Sequence, residues 1–279
     1  MDRLATLRHG LVGAWCPSLG ATGYTLLDRS PFARHGALTN MAGQDNWRAS
    51  GSGVAINFDG ANDHVLLPSS ITASASLPFS VAAWVYLRDL TTQQYPHIVT
   101  VATSGGSFPF EVIVSAQANY LGLGFGSATT WPTGRTGVAF PTAQWVHVAV
   151  TYSAASVAVA SFAGYIGGVP TAFVSGAGFS GLTNSTVIGG VAGGGSSNYL
   201  FGLVDDVRIY NRVLTPSEIR LLASQRGIGL VPTGRTATKF PTTLYQRVGG
   251  VWTPTQPHVN VGGVYKPATP AINVGGVWR

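Results

Sequence analysis

The sequence predicts an all-β fold class, and three observations carry this prediction. Apolar and polar residues alternate with a period of two in many short runs. Clusters of Gly, Pro and Ser separate those runs, and the 37 glycines suit a chain with many turns. Only residues 216–225 carry a strong helix signal, so we expect one short helix.

Residues 203–222 predict a strand, a turn and then that helix. The first eight residues alternate as a strand does. Thr215 is placed to cap the helix, Pro216 to occupy its first position, and Glu218 to complete a capping box. Gly227 is placed to stop the helix.

Other strands are predicted from the same alternation between turn signals. They are residues 11–15, 81–87, 98–103, 110–115 and 120–125. Residues 57–67 read as a hairpin that turns at Asp59 and Gly60. Residues 145–169 contain no charged side chain and are long enough to cross a bilayer. Their period-two pattern and the Ser-containing turn at 153–156 favour a buried hairpin instead.

Four motifs, in this order, resemble the laminin-G-like, concanavalin A-like jelly-roll family. They are NFDG with D-H-V at 57–65, FSVAAWV at 79–85, WVHVAVTY at 145–152, and DDVRIYNR with the following L, S, E and I at 205–219. The resemblance spans roughly residues 11–224 and implies a two-sheet antiparallel jelly-roll sandwich. It does not fix an activity, because this fold hosts lectins, adhesins, enzymes and inert spacers.

The same resemblance implies a candidate calcium site. Many members hold the ion between an early loop and the last strand, and Asp28 with Asp205 or Asp206 matches by position. Arginines in that loop disfavour a cation, which needs six to eight oxygen ligands. The alternative is that Asp28 caps a turn while the Asp pair accepts hydrogen bonds from the backbone or from Arg208. Calcium stays a candidate cofactor, and no metal ligand set is assigned.

The net charge of +6 lies entirely in the C-terminal part. Residues 226–279 hold six Lys or Arg and no acid, whereas ten Arg balance ten Asp and Glu before them. We predict a lead-in at 1–10, a jelly-roll domain at 11–226 and a basic tail rich in Gly, Pro and aromatic residues at 227–279. The positive charges are spread rather than clustered, which argues against nucleic acid as a partner.

The tail contains three near-copies spaced by thirteen residues, at 248–252, 261–265 and 274–278. Each has Gly-Gly between two valines, which predicts a small hairpin. One such hairpin cannot bury a core alone, so the copies need neighbours or a partner. The repeat resembles short repeats at the ends of tailed-bacteriophage structural proteins, which implies an anchor or an oligomerisation device.

Two further patterns concern surfaces. Residues 136–204 contain no charged side chain apart from a protonated form of His147. Either another chain covers part of this stretch, or it presents a polar surface of Gly, Ser and Thr. The sequence PTGRT at 132–136 recurs at 232–236, and we have no physical account of this match.

The residue patterns of common enzymes are missing. The glycanase branch of the resembling family needs two Glu flanking an Asp on one strand, and the only glutamates here are the distant Glu111 and Glu218. The chain has no nucleophile elbow, phosphate loop or paired zinc ligands. Cys16 is expected to be a small buried residue, and His147 a structural one. We therefore predict no catalytic and no cofactor-binding residues.

These patterns predict a non-enzymatic structural protein of a tailed-phage virion, assembled in the host cytoplasm. The expected role is a capsid decoration or fibre component, a homo-oligomer whose tail binds other virion proteins. The alternative is a carbohydrate-binding module or adhesin for a cell-surface glycan. For that role Trp47, Tyr95 or Trp131 would stack on sugar rings, although each equally suits packing at a rim. No standard secretion signal and no membrane insertion are predicted.

Overall fold

The chain divides into two compact units, residues 1–231 and residues 232–279. The computed structural model describes most of the first unit and the paired strands of the second. The described ranges are 3–41, 46–68, 78–90, 95–102, 110–115, 120–124, 134–153, 162–171, 185–191, 199–230, 244–248, 251–255, 258–261, 264–267, 273–274 and 277–278.

Sheet I of the first unit contains eight antiparallel strands among the described residues. In spatial order they are β14 (Val169–Thr171), β13 (Phe162–Ile166), β12 (Trp145–Tyr152), β7 (Phe79–Leu87), β16 (Phe201–Tyr210), β5 (Val54–Asp59) and β4 (Trp47–Ala49), with β1 (Leu11–Trp15) also paired to β16. The most extensive pairing joins β7 to β12 and β16, so these three strands form the centre of the sheet.

Sheet II also contains eight described strands, all antiparallel. In spatial order they are β11 (Gly134–Ala139), β10 (Tyr120–Gly124), β9 (Phe110–Ser115), β8 (His97–Ala102), β15 (Ser185–Ile188), β6 (His64–Leu66), β3 (Gly36–Thr39) and β2 (Thr25–Leu26). The main core lies between the sheets, where Val85 and Val148 of sheet I join Val65 and Val99 of sheet II. The predicted two-sheet antiparallel sandwich is confirmed.

Helix α2 (Pro216–Leu222) confirms the predicted short helix. Thr215 accepts a hydrogen bond from the Glu218 N–H, and the Glu218 carboxylate accepts one from the Thr215 N–H. This capping box satisfies helix donors that would otherwise lack partners. Ile219 and Leu222 are buried in a second apolar cluster, on the face of sheet I that points away from sheet II.

The predicted lead-in also has structure. A single helical turn, α1 (Arg3–Thr6), precedes the buried Leu7, which joins the second apolar cluster. The Arg212 guanidinium donates to the Thr6 carbonyl at 2.8 Å, which ties this segment to the end of β16. A 3-10 turn (Pro17–Leu19) follows β1. Neither short turn was predicted, because each is held by distant contacts rather than by a local cap.

The predicted hairpin at 57–67 is wrong, although its turn is present. Asp59 Oδ1 accepts the Ala61 N–H at 2.8 Å, and Asp63 Oδ2 accepts the Asp59 N–H at 3.0 Å. The turn carries the chain from β5 in sheet I to β6 in sheet II, so the two strands do not pair. The predicted turn at 153–156 lies mostly outside the described residues, and β12 pairs with β13.

A β-bulge interrupts the central strand β16. Its pairing with β7 shifts register between Asp205 and Arg208. Asp206, inside the bulge, has a φ of +48°, a left-handed conformation that Asp tolerates better than most residues. Such bulges redirect side chains, which here places two adjacent carboxylates under the segment that follows α2.

The second unit consists, in its described part, of three short hairpins. They are β17 (Leu244–Val248) with β18 (Val251–Thr255), β19 (His258–Val261) with β20 (Val264–Pro267), and β21 (Asn273–Val274) with β22 (Val277–Trp278). In each hairpin the innermost pair is formed by the two valines that flank Gly-Gly. The predicted hairpin at each repeat is confirmed.

Both surface patterns lie partly outside the described residues. Residues 154–161, 172–184 and 192–198 of the charge-free stretch are outside it, as is the second PTGRT copy at 232–236. In the described part of the chain, no helix is long and apolar enough to span a bilayer.

Candidate functional site

The outer face of sheet I, which points away from sheet II, brings together the motif residues of β7, β12 and β16. In β7 the odd-numbered residues from Val81 to Leu87 enter the core, so Trp84 and Tyr86 project to the outer face. Register places Trp84 beside His147 and Asp205. We call these three residues the clamp rung.

The neighbouring row, two residues along each strand, contains two aromatic residues, a leucine and an asparagine. Tyr86 pairs with Trp145 on one side and with Leu203 on the other, and Leu203 pairs with Asn57 of β5. The ring centroids of Tyr86 and Trp145 are 5.8 Å apart. We call these four residues the aromatic rung.

The Arg226 side chain packs over the clamp rung. Its guanidinium carbon lies 3.7 Å from the Trp145 ring centroid and 5.4 Å from that of Trp84. The same group donates to Ser50 Oγ at 2.9 Å and stands 3.7 Å from Asp205 Oδ2. Cation–π contact and a nearby carboxylate together hold this arginine, which is 7% exposed, and with it the segment after α2.

The two aspartates of the bulge have separate partners. Asp206 accepts hydrogen bonds from Arg208 Nε and Nη2 at 2.8 and 2.9 Å and from the Gly227 N–H at 2.8 Å. Asp205 Oδ1 accepts from the Asp206 N–H at 2.8 Å and from the Ser18 N–H at 3.2 Å, while its Oδ2 has no hydrogen bond. Burial raises the pKa of Asp205 to about 6, with a further contribution from the charge of Asp206.

His147 lies fully buried beside Trp84, edge to face at 5.5 Å. Burial lowers the pKa of this imidazole to about 4, so the ring is neutral at physiological pH. Its Nδ1 has no hydrogen-bond partner. We expected a hydrogen-bonded structural histidine on a core strand: His147 is buried there, but the hydrogen bond is missing at Nδ1.

The Asp28 carboxylate accepts four hydrogen bonds, one from strand β1 and three from its own loop. Oδ1 accepts the N–H groups of Ala14 and Ser30, each at 2.8 Å. Oδ2 accepts from Ser30 Oγ at 2.6 Å and from the Arg34 N–H at 2.9 Å. Asp28 therefore caps a turn, as the alternative to the calcium site predicted. Nowhere in the described ranges do three or more His, Cys, Asp or Glu side chains gather closely enough to hold a metal ion.

Glu218 and Cys16 also have structural surroundings. The Glu218 carboxylate accepts hydrogen bonds from both Nη atoms of Arg212, at 2.8 and 2.9 Å. Although partial burial opposes its ionisation, hydrogen bonds from Arg212 and Thr215 lower the pKa of Glu218. Cys16 is 1% exposed, and burial, with the charges of Asp206 and Asp205, raises the pKa of its thiol. It stays a protonated, buried side chain, as predicted.

Of the loop aromatics proposed from the sequence, the structure describes Trp47 and Tyr95. Trp47 packs against the main core and donates from Nε1 to the Gly23 carbonyl at 2.9 Å. Tyr95 is half-buried, and Trp131 lies outside the described residues. The aromatic rung was missed because loops were searched instead of strands. The phase of alternation in FSVAAWVYL was the signal that could have found Tyr86.

Residues 59–220 match the model of the concanavalin A-like lectin/glucanases superfamily, which is more than half of the chain. The repeat tail lies outside the matched residues. No curated protein matches the chain.

Solved structures resemble the chain in fold. A sialidase of Trypanosoma rangeli in complex with sialic acid has a TM-score of 0.56 at 20% identity, covering 77% of this chain and 32% of that chain. Domain 4 of AbnA, an extracellular GH43 arabinanase of Geobacillus stearothermophilus, in complex with arabinotriose, has a TM-score of 0.56 at 24% identity, covering 76% of this chain and 98% of that domain. The chain thus spans about a third of the sialidase's length and nearly all of the arabinanase domain's.

Proposed function

The chain belongs to the concanavalin A-like lectin/glucanases superfamily, and from that premise we propose that it is a non-enzymatic structural protein of a tailed-phage virion. In this proposal it is a capsid decoration or fibre component that assembles as a homo-oligomer. The jelly-roll domain is displayed on the particle. The repeat tail attaches it to other virion proteins.

The observation that carries this proposal is the row of three hairpins in the second unit. Each is a two-stranded sheet of two to five residues per strand, too small to be independently stable in water. The sequence adds an aromatic residue to each repeat, at Trp252, Tyr265 and Trp278, and supplies no acid throughout 227–279. A basic row of marginal hairpins suits binding to a larger surface, such as a virion lattice.

A non-enzymatic role is supported by how the described carboxylates are used. Asp28 and Asp59 order loops, and Asp206 and Glu218 are each paired with an arginine. Asp205 lies fully buried beneath Arg226. Asp59 and Asp63 lie close together, but both carboxylates accept backbone N–H groups within one turn, which is a structural use rather than that of the carboxylate pair that glycoside hydrolysis requires.

The test compares the full chain with a variant that lacks residues 244–279. We expect the variant to fail to enter particles and to lose its oligomeric state, measured by particle composition and by light scattering. A matched control replaces two exposed apolar residues of the first unit, Val169 (62% exposed) and Val213 (37% exposed), by Ser. Normal incorporation of the shortened chain would overturn the proposal.

Carbohydrate binding is the second candidate function, and the aromatic rung favours it. The superfamily includes lectins, and the arabinanase domain of the same fold was solved with arabinotriose. Tyr86 stands on a rigid sheet, which presents its ring at little entropic cost on binding, and the Trp145 ring beside it is stacked by Arg226. A virion protein that displays a sugar-binding domain satisfies both functions.

A glycan array that includes arabino-oligosaccharides tests this second function. The full chain is applied with calcium and with a chelator. We expect saturable binding to at least one glycan. Signals at background for every glycan under both conditions would contradict carbohydrate binding and leave the assembly proposal standing.

A further inference from the structure

We infer that the aromatic rung (Asn57, Leu203, Tyr86 and Trp145) is the binding surface for a neutral oligosaccharide chain. This inference rests on carbohydrate binding, the second candidate function, and names its surface and its ligand class.

The rung forms a straight row across four adjacent strands. Asn57, Leu203, Tyr86 and Trp145 lie on β5, β16, β7 and β12, and each faces the next in the pairing register. With strands about 4.8 Å apart, the row is about 14 Å long. That length exceeds one sugar ring, so the row suits a stretch of several sugar units rather than a monosaccharide.

The rung is not part of either apolar core. None of its residues belongs to the core between the sheets or to the cluster beneath α2. On the same face, the small residues Ala82 and Ala149 lie beneath Ile219 and Leu222 of α2. Within the described ranges, α2 therefore covers the part of this face built from small side chains and leaves the aromatic part only half-buried.

Charges around the rung balance, which selects for a neutral ligand. Arg226 at the Trp145 end stands beside Asp205. At the other end, Arg88 lies over the Phe201 ring at 4.8 Å, and Phe201 pairs with Asp59. The charged residues named at the two ends are thus two arginines and two aspartates, which give no net charge that would attract an acidic chain or a cation.

The polar groups at the rung's edge suit sugar hydroxyls. Arg88 donates from Nη1 to the Phe58 carbonyl at 3.1 Å and from Nη2 to Asn57 Oδ1, which fixes the Asn57 amide. Aromatic and apolar side chains with a few fixed polar groups are the usual lining of small-ligand sites. The Tyr86 ring and the Leu203 side chain contact the C–H faces of sugars, and the Asn57 amide faces their hydroxyls. Trp145, whose ring is stacked by Arg226, closes the end of the row.

A second copy of this chain suits the rung less well. Stable protein interfaces bury about 800 Å² per partner and involve about 20 residues or more on each side. The rung offers four side chains, bordered by arginines already engaged within the chain.

The experiment titrates the full chain with cellohexaose as a neutral chain and a hyaluronan hexasaccharide as an acidic one. Calorimetry measures affinity, and the shift of the Trp145 indole N–H resonance locates binding. We expect Tyr86→Ala to weaken binding of the neutral chain by about tenfold or more. The matched control Tyr24→Ala removes a tyrosine that is 69% exposed and lies off the rung, and it leaves affinity unchanged. If Tyr86→Ala fails to fold, Leu203→Ser carries the same expectation.

Each other outcome overturns the inference. Binding of the neutral chain that survives both rung variants places the site elsewhere, while carbohydrate binding itself stands. Binding of the acidic chain alone contradicts the ligand class. If neither hexasaccharide binds but the glycan array gives hits, the aromatic rung is not the binding surface, while carbohydrate binding stands. If neither assay detects binding, both the binding surface and carbohydrate binding are contradicted. Loss of a dimer in Tyr86→Ala, measured by light scattering, would assign the rung to a second copy.

Discussion

The guanidinium of Arg226 stacks on the indole of Trp145, with 3.7 Å between the guanidinium carbon and the ring centroid. The contact joins the segment after α2 to the first residue of β12, at the border between the clamp rung and the aromatic rung. Arg226 is also the neighbour of the buried Asp205 carboxylate. One side chain therefore supports three features: the C-terminal segment of the first unit, a buried charge and one end of the candidate binding surface.

Replacing Arg226 by Ala should destabilise the first unit by about 2 kcal/mol, because Asp205 loses its nearby positive charge and two indoles lose their cation. Urea unfolding of the full chain, followed by tryptophan fluorescence, measures the change. Arg220→Ala is the matched control, since Arg220 is exposed on α2. Equal unfolding midpoints for the two variants would show that the stack contributes nothing to stability.

Asp205 should make the first unit less stable as pH rises. Its pKa is about 6 when folded and 3.8 ordinarily, so between these values the folded chain holds a proton that the unfolded chain has released. The stabilisation is present below pH 3.8 and is lost as pH rises through about 6, by at most about 3 kcal/mol. Asp205→Asn should remove this slope in urea unfolding between pH 4 and 7.

Asp63 should also contribute to the pH dependence of stability, so its variant is the control for Asp205→Asn. Burial, aided by the charge of Asp59, raises the pKa of Asp63 to about 6 as well. Asp63→Asn should therefore remove a separate part of the same slope. If Asp205→Asn leaves the pH dependence unchanged while Asp63→Asn removes it, the buried carboxylate beneath Arg226 does not titrate as stated.

His147 should make the first unit less stable as pH falls, which is the opposite of the effect of Asp205. Its pKa is about 4 when folded and 6.5 ordinarily, so in this range only the unfolded chain takes up a proton. The stability it contributes is present above pH 6.5 and is lost as pH falls toward 4, by roughly 3 kcal/mol. His147→Gln should flatten this acid-side loss, whereas His9→Gln, at an exposed site, should not. Identical acid profiles for the two variants would contradict the expectation.

Gly202→Ala should destabilise the chain by about 3 kcal/mol or more. A Cβ at Gly202 would lie 2.1 Å from the Tyr86 carbonyl oxygen, so β16 and β7 would have to separate. Thermal unfolding measures the loss. Gly23→Ala is the comparison: its φ of +72° is unfavourable for Ala, but no atom lies within 4 Å, so about 1 kcal/mol is expected. A smaller loss for Gly202→Ala than for Gly23→Ala would contradict the close packing of the two strands.

Features that depend on neighbouring residues were predictable from the sequence. Thr215, Pro216 and Glu218 define the start of α2 within four residues, and the structure has the capping box there. The alternation in β7 gives the faces of Trp84 and Tyr86 because the side-chain period of a strand is fixed. The hairpin at each tail repeat is equally local.

Features that depend on distant partners were not predictable in the same way. The Asp59-Gly60 turn was read correctly, but whether β6 pairs with β5 or enters the other sheet depends on β15 and β3. The contact of Arg226 with Trp145 joins residues that no periodicity relates. For the same reason, the sequence left open whether Asp205 and Asp206 bind calcium or accept hydrogen bonds. Their donors include the N–H groups of Ser18 and Gly227, which are distant in the sequence.

Each hairpin of the second unit forms its strand-pairing hydrogen bonds around one copy of the repeat. Val248, Val261 and Val274 begin turns thirteen residues apart, and among the strands that the structure describes those of each hairpin pair only with each other. Duplication or loss of one thirteen-residue segment of the gene therefore adds or removes one whole hairpin and leaves the register of the rest intact.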